Sequence, residues 1–206
     1  DDKTASQLKF NHELHVGRGE VFYAQIDEQS QAAKASNYHS QVIAKDFLKN
    51  LPLPVTGIGQ EYPNRQLWLY NFCIHDCVNN DATLYLYAEH YAGKGPNEVL
   101  SCLNDSVSKL PSPARILHIF ADNCFSQNKN KYTVAFLHSL VNSSQLTELH
   151  LYFPMPGHSR MPCDRDFGRI EKKKMEEDRV LVPSTWVSLI RNVQKKPFTI
   201  CFLEHP

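Results

Sequence analysis

Three runs of aromatic and β-branched residues follow one another in the first half of the chain, and the second half alternates helical with strand-like stretches. This order constrains the fold more than any other feature. Strands joined by turns pair antiparallel, whereas strands separated by helices add in parallel. The first run, Gln41–Phe47, is closed by a turn that carries Pro52 and Pro54. Arg65–His75 (RQLWLYNFCIH) and Ala82–His90 (ATLYLYAEH) read as two more strands, and the polar DCVNND between them as a hairpin connection. From Pro96 to Leu110 the apolar residues Val99, Leu103, Val107 and Leu110 recur at helical spacing, with Pro96 and Glu98 in the first turn. Strands over Arg115–Ala121, Thr147–Phe153 and Phe198–Leu203 then alternate with helices over Lys131–Val141, Asp164 to about Asp178, and Ser184–Val193. Ahead of all these, Glu13–Ser36 predicts one or two amphipathic helical segments, interrupted near Gly17 and Gly19.

The expected fold is therefore α/β: a mixed sheet of an antiparallel three-strand meander plus two parallel strands, flanked by helices. That is the plan of the ribonuclease H-like fold. Residues 1–40 are expected to form an N-terminal helical segment packed on a core of residues 41–206. A chain of 206 residues, 42% of them hydrophobic, is large enough to bury such a core. Lys plus Arg equals Asp plus Glu, 22 against 22, so the chain has no global attraction for phosphate; a nucleic-acid partner would need a local basic surface or another part of a longer protein. No apolar run approaches the length of a bilayer span and DDKTASQLKF has no signal-peptide core, which predicts an intracellular protein without membrane contact. Of the six cysteines only Cys73 and Cys77 are close, with no second Cys/His pair to complete a zinc site, so reduced thiols are expected. The chain starts and stops without punctuation, which predicts a piece of something larger.

The acids fall at informative places. In a sheet of this plan the first and fourth strands lie side by side and parallel, and the helix after the fifth strand passes their ends. Asp46 stands in the first strand, near its middle or end, Asp122 ends the fourth, and Asp164 opens that helix. Cleavage or transfer at a phosphodiester suits such a cluster, because two Mg²⁺ ions about 4 Å apart can clamp the attacking and leaving oxygens. Mg²⁺ prefers oxygen ligands and takes few carboxylates, and without a cation three converging carboxylates repel one another. Asp122 alone could instead cap the next helix through an Asx turn, which accounts for one acid and not for three. In ADNCFSQNKNK the amides of Asn123, Gln127 and Asn128 could orient that acid or touch phosphate and base edges, and Lys129 and Lys131 are phosphate candidates. The mixed charges of EKKKMEED fit a solvated helix face. Trp68, Tyr70, Phe72, Tyr85 and Tyr87 fit packing, and a hairpin turn explains His75, Asp76 and Cys77.

Four stretches, DFLKNLPLP, RQLWLYNFCIHD, ADNCFSQNKNK and GHSRMPCDRDFGRIEKK, resemble the ribonuclease H-like integrase or transposase-type domain of unknown function in eukaryotic transposon-derived proteins. The likeness runs from about Asp46 to Glu171, with its blocks in the family's order. It implies a metal-dependent DDE/D strand-transfer core with Asp46, Asp122 and Asp164 as ligands of two Mg²⁺ or Mn²⁺ ions. Glu171, two helical turns beyond Asp164, is the alternative third ligand or an acid paired with nearby Lys or Arg. His158 in the GHS block could position water or phosphate or act as general acid or base, or be a loop histidine satisfied by its neighbours. The implied partners are DNA, both transposon ends and target, and a second copy of the chain; the implied location is the nucleus, with DNA-recognition elements outside this stretch. Two other readings remain: a domesticated DNA- or protein-binding domain without catalysis, and a metal-dependent nuclease in which water attacks in place of a DNA 3′-hydroxyl.

Overall fold

The computed structural model describes residues 2–56, 66–155, 160–177 and 179–203. In chain order its elements are α1 (Asp2–Ala35), β1 (Ser40–Phe47), β2 (Leu51–Leu53), β3 (Leu67–Asp76), β4 (Asp81–Ala88), α2 (Pro96–Ser108), β5 (Ile116–Ala121), α3 (Lys131–Ser143), β6 (Glu148–Tyr152), α4 (Pro162–Lys174), α5 (Pro183–Arg191) and β7 (Thr199–Leu203). The sheet runs β6-β5-β1-β3-β4-β7, with β2 paired to β3. β1, β3 and β4 form the antiparallel meander, and β5 and β6 add in parallel on the β1 side. This is α/β architecture with a mixed sheet between helices, the arrangement of a ribonuclease H-like fold. β7 joins β4 in parallel at the opposite edge and extends the sheet beyond the five strands of the basic plan.

Each face of the sheet buries its own helices. One core holds Phe22, Ile26 and Ala33 of α1, Cys163, Phe167 and Ile170 of α4, and Trp186 and Ile190 of α5, packed on Val42, Ala44, Cys73 and Phe120. The other holds Val99, Leu103 and Val107 of α2 and Leu137 and Leu140 of α3, packed on Ile43, Phe72, Ile74, Leu117 and Ile119. Alternation along β1 and β5 divides these residues between the faces, as the two-residue strand period requires. Each large side chain buried in this way contributes roughly 1.5–3 kcal/mol.

Three expectations change. α1 is one helix from Asp2 to Ala35 and does not break near Gly17 and Gly19. A glycine inside a helix costs about 1 kcal/mol relative to alanine; burial of Phe22, Ile26 and Ala33, with the Phe22 ring 5.4 Å edge-on from Phe120, offsets that cost. The Pro52 turn contains a short strand, β2, because Leu51 and Leu53 are buried against β3 with Pro52 between them. α4 begins at Pro162, two residues earlier than expected, and ends at Lys174. The hairpin reading of Asp76 is correct: its Oδ1 accepts from the Val78 amide at 2.8 Å and the Asn79 amide at 3.1 Å. All six cysteines are free. Among the described residues no helix is long and apolar enough to cross a membrane.

Candidate active site

Asp46 and Asp122 are brought together by strand register. β1 and β5 are parallel neighbours whose last paired residues are Lys45 and Ala121, so Asp46 and Asp122 are the next position on each strand. Residues in register on adjacent strands face the same side, about 4.8 Å apart along the sheet. Both follow the parity of Val42, Ala44 and Phe120, which places them on the α1/α4 face. The first turn of α4 is pinned over β1 on that face, where the Cys163 thiol donates to the Ala44 carbonyl at 3.4 Å. Asp164 is the next residue along the helix.

The electrostatics follow from this crowding. Burial pushes the Asp46 carboxyl up to about 7, and the negative charges of Asp122 and Asp164 push in the same direction. Its Oδ1 accepts from the Phe47 amide at 2.7 Å, which offsets only part of the shift. Lys45, on the opposite face, is 1% exposed, and burial lowers its ammonium to about 8 against the attraction of Asp122 and Asp46. Lys94, from the loop after β4, feels Asp46 as well; its Nζ donates to the Leu48 carbonyl at 3.3 Å and burial lowers its pKa.

The Asp46 shift has a thermodynamic consequence. A carboxyl raised from its ordinary 3.8 to about 7 keeps, in the folded protein, a proton that the unfolded chain has already released. Stability therefore falls as pH rises between about 4 and 7, and the whole of that loss is present above 7. Urea midpoints for Asp46→Asn should lack this slope between pH 5 and pH 7.

The amide-rich loop after β5 works mainly within the protein. Asn128, 4% exposed, accepts from the Lys45 ammonium through Oδ1 and donates through Nδ2 to the Asp122 carboxylate. The buried cation thus fixes which way the amide points, and the amide holds the acid. Asn123 donates to the Pro154 carbonyl, tying the end of β5 to the segment after β6. Of the two tasks expected for these amides, Asn128 performs the orienting one and is too buried to read a base edge. Gln127 is half-buried and its carbonyl accepts from Thr133 Oγ1 at 3.5 Å. Lys129 and Lys131 are exposed.

Asp164 differs from expectation in detail. It lies in the first turn of α4, and its Oδ2 turns back to accept from the Met161 amide at 2.6 Å, leaving Oδ1 for other work. It acts on Asp46 electrostatically, whereas Glu171 is not among the charges that shift Asp46. Glu171 instead stands 3.9 Å from Lys174, with its Oε1 buried and unpaired. His158 lies outside the described residues.

Three features escape a reading of the sequence. Lys45 has one faint signal, a lysine inside an otherwise apolar strand. His75, read as part of a turn, is 2% exposed and its Nδ1 meets Asp166 Oδ2 at 2.6 Å, while Arg169 donates to Asp166 Oδ1 at 3.1 Å. This buried group clamps α4 to β3. Asn71, 0% exposed, has neither amide atom hydrogen-bonded; it lies on the same face as Asp46, two residues along β3 from Asp46's partner Cys73.

These residues fit a hard divalent cation. Two carboxylates crowd at adjacent strand ends, one of them raised to about 7 by burial and by the charge of the other, and a buried amide nearby lacks a partner. Among the described residues no three His, Cys, Asp or Glu side chains close around one point, so the arrangement is a pair of strand-end acids with a third beside them.

No curated protein and no solved structure matches this chain. A family does match, over residues 72–205, a span that contains Asp122 and Asp164 and begins after Asp46. That span is more than half of the 206 residues, and the chain belongs to the family described as a domain of unknown function, DUF7869.

Proposed function

We propose that this chain is a transposase-type catalytic core that cleaves DNA phosphodiesters and transfers strands with the help of divalent metal ions. The observation that carries the reading is the parallel register of β1 and β5, which sets Asp46 beside Asp122 at the strand ends beneath the first turn of α4. Asp46 and Asp122 would hold Mg²⁺ or Mn²⁺, and Asp164 would complete the set with its unused oxygen. The ions supply polarisation of the phosphoryl group and an activated attacking oxygen. Asn128 keeps Asp122 aimed at the site, and Lys45 behind it keeps Asn128 from flipping. Cys163, His75 and Asp166 hold α4 where Asp164 can reach the strand ends. Lys129, on the loop that leaves Asp122, and Lys131, at the start of α3, are exposed and would meet the DNA backbone.

A metal titration followed by a product assay tests this. Mn²⁺ at about a hundred times its dissociation constant stabilises a folded protein by about 2.7 kcal/mol, equivalent to a rise in Tm on the order of 5–10 °C for a chain of this size. Incubation with DNA and Mn²⁺ should then yield joined strands. Nicked DNA without joining would point to a nuclease, and an unchanged Tm with intact DNA to a binding module on the same scaffold.

A further inference from the structure

The loop that leaves Asp122 carries large apolar side chains in an unusual place. Phe125 is 71% exposed and Tyr132, in the first turn of α3, is 57% exposed. Both rings are accompanied by cations: Lys129 Nζ lies 5.8 Å from the Phe125 centroid and 5.3 Å from that of Phe153, and Lys131 Nζ lies 5.2 Å from that of Tyr132. The loop is also braced. Asn130 donates to the Phe125 carbonyl at 3.0 Å and accepts from the Tyr132 and Thr133 amides, both at 3.0 Å. The bond from Asn123 to Pro154 holds the Phe153 segment against the residue that follows Asp122.

We propose that Phe125 and Tyr132, with Lys129 and Lys131 between them, form a stacking platform for unpaired bases of a single DNA strand beside the carboxylate site. Solvent-exposed rings gain by covering the flat faces of bases, which a paired duplex keeps to itself, while the ammonium groups that lie over the rings are close enough to reach the backbone phosphates between those bases. A protein partner would account for exposed rings; it gives no reason for a lysine at each of them. A short strand fits this alternation of ring and cation. The placement rests on the DNA-acting reading of the neighbouring acids and names the form of DNA they receive: strand ends with unpaired bases.

The test is made without divalent metal, in EDTA, so that it does not depend on catalysis. Fluorescein-labelled oligothymidylate of about 12 nucleotides should bind more tightly than a duplex of equal length. Phe125→Ala and Tyr132→Ala should each weaken single-strand binding about ten- to a hundredfold and leave duplex binding nearly unchanged. Both positions are exposed, so the substitutions leave the core untouched; a Phe125→Trp variant should keep affinity and report stacking by quenched fluorescence. Equal affinity for single strand and duplex, insensitive to both alanine variants, overturns the platform. So does concentration-dependent self-association that the same variants abolish, since the rings would then be an interface between copies. Single-strand binding that survives while Mn²⁺ yields no cleavage overturns the catalytic reading and leaves the platform standing; cleavage with ring-insensitive binding does the reverse.

Discussion

Asp122→Asn is expected to lower Mn²⁺-dependent DNA cleavage by about 10³-fold while the protein remains folded. The substitution keeps the shape of the side chain and an oxygen able to accept from the Asn128 amide, so the contact that positions the group survives. The charge is lost. A carboxylate that holds a catalytic cation supports several kcal/mol of transition-state stabilisation, and about 4 kcal/mol corresponds to roughly 10³ in rate. The same variant should relieve Asp46, whose carboxyl is raised in part by the Asp122 charge, so its titration should move below about 7. An NMR pH titration of Asp46 reports the second effect independently of activity. Retained cleavage in Asp122→Asn would remove this acid from the chemistry.

Asp166→Ala should destabilise the fold by about 2–3 kcal/mol, since it leaves the buried His75 ring without its hydrogen-bond partner and also loses the contact to Arg169. Asp166 is 1% exposed and serves both His75 and Arg169; without it the buried His75 ring loses its partner at Nδ1. Asp166→Asn keeps an oxygen toward one of these donors and should cost about 1–2 kcal/mol. Urea unfolding measures both, as a shift in midpoint at unchanged slope. Because Asp166 sits two residues beyond Asp164 on α4, the alanine variant should also lose metal affinity, although its side chain is engaged by His75 and Arg169.

The strand order was legible because it depends on patterns the sequence displays directly: three apolar runs joined by turns, then helices between strands. Convergence of Asp46 and Asp122 could be foreseen from that topology alone, since adjacent parallel strands bring their ends together. Side-chain partnerships across long separations could not. His75 and Asp166 are 91 residues apart, and Lys45 and Asn128 are 83 apart; no local pattern links either pair. Gly17 and Gly19 suggested a break in α1 because local propensity carries no information about the docking of Phe22 and Ile26. Exposure is the other quantity composition hides. Phe125 and Tyr132 look like any core aromatic until the loop places them outside, whereas Phe72 and Tyr85 are buried as their strands suggested.

The most direct measurement is anomalous diffraction from crystals soaked in Mn²⁺. The account predicts a peak on the α4 face of the sheet between the ends of β1 and β5, about 2.1 Å from one carboxylate oxygen of Asp46 and one of Asp122, and absent from crystals of Asp46→Asn. A strand-end region without manganese at saturating concentration, or a peak unmoved by that substitution, contradicts it.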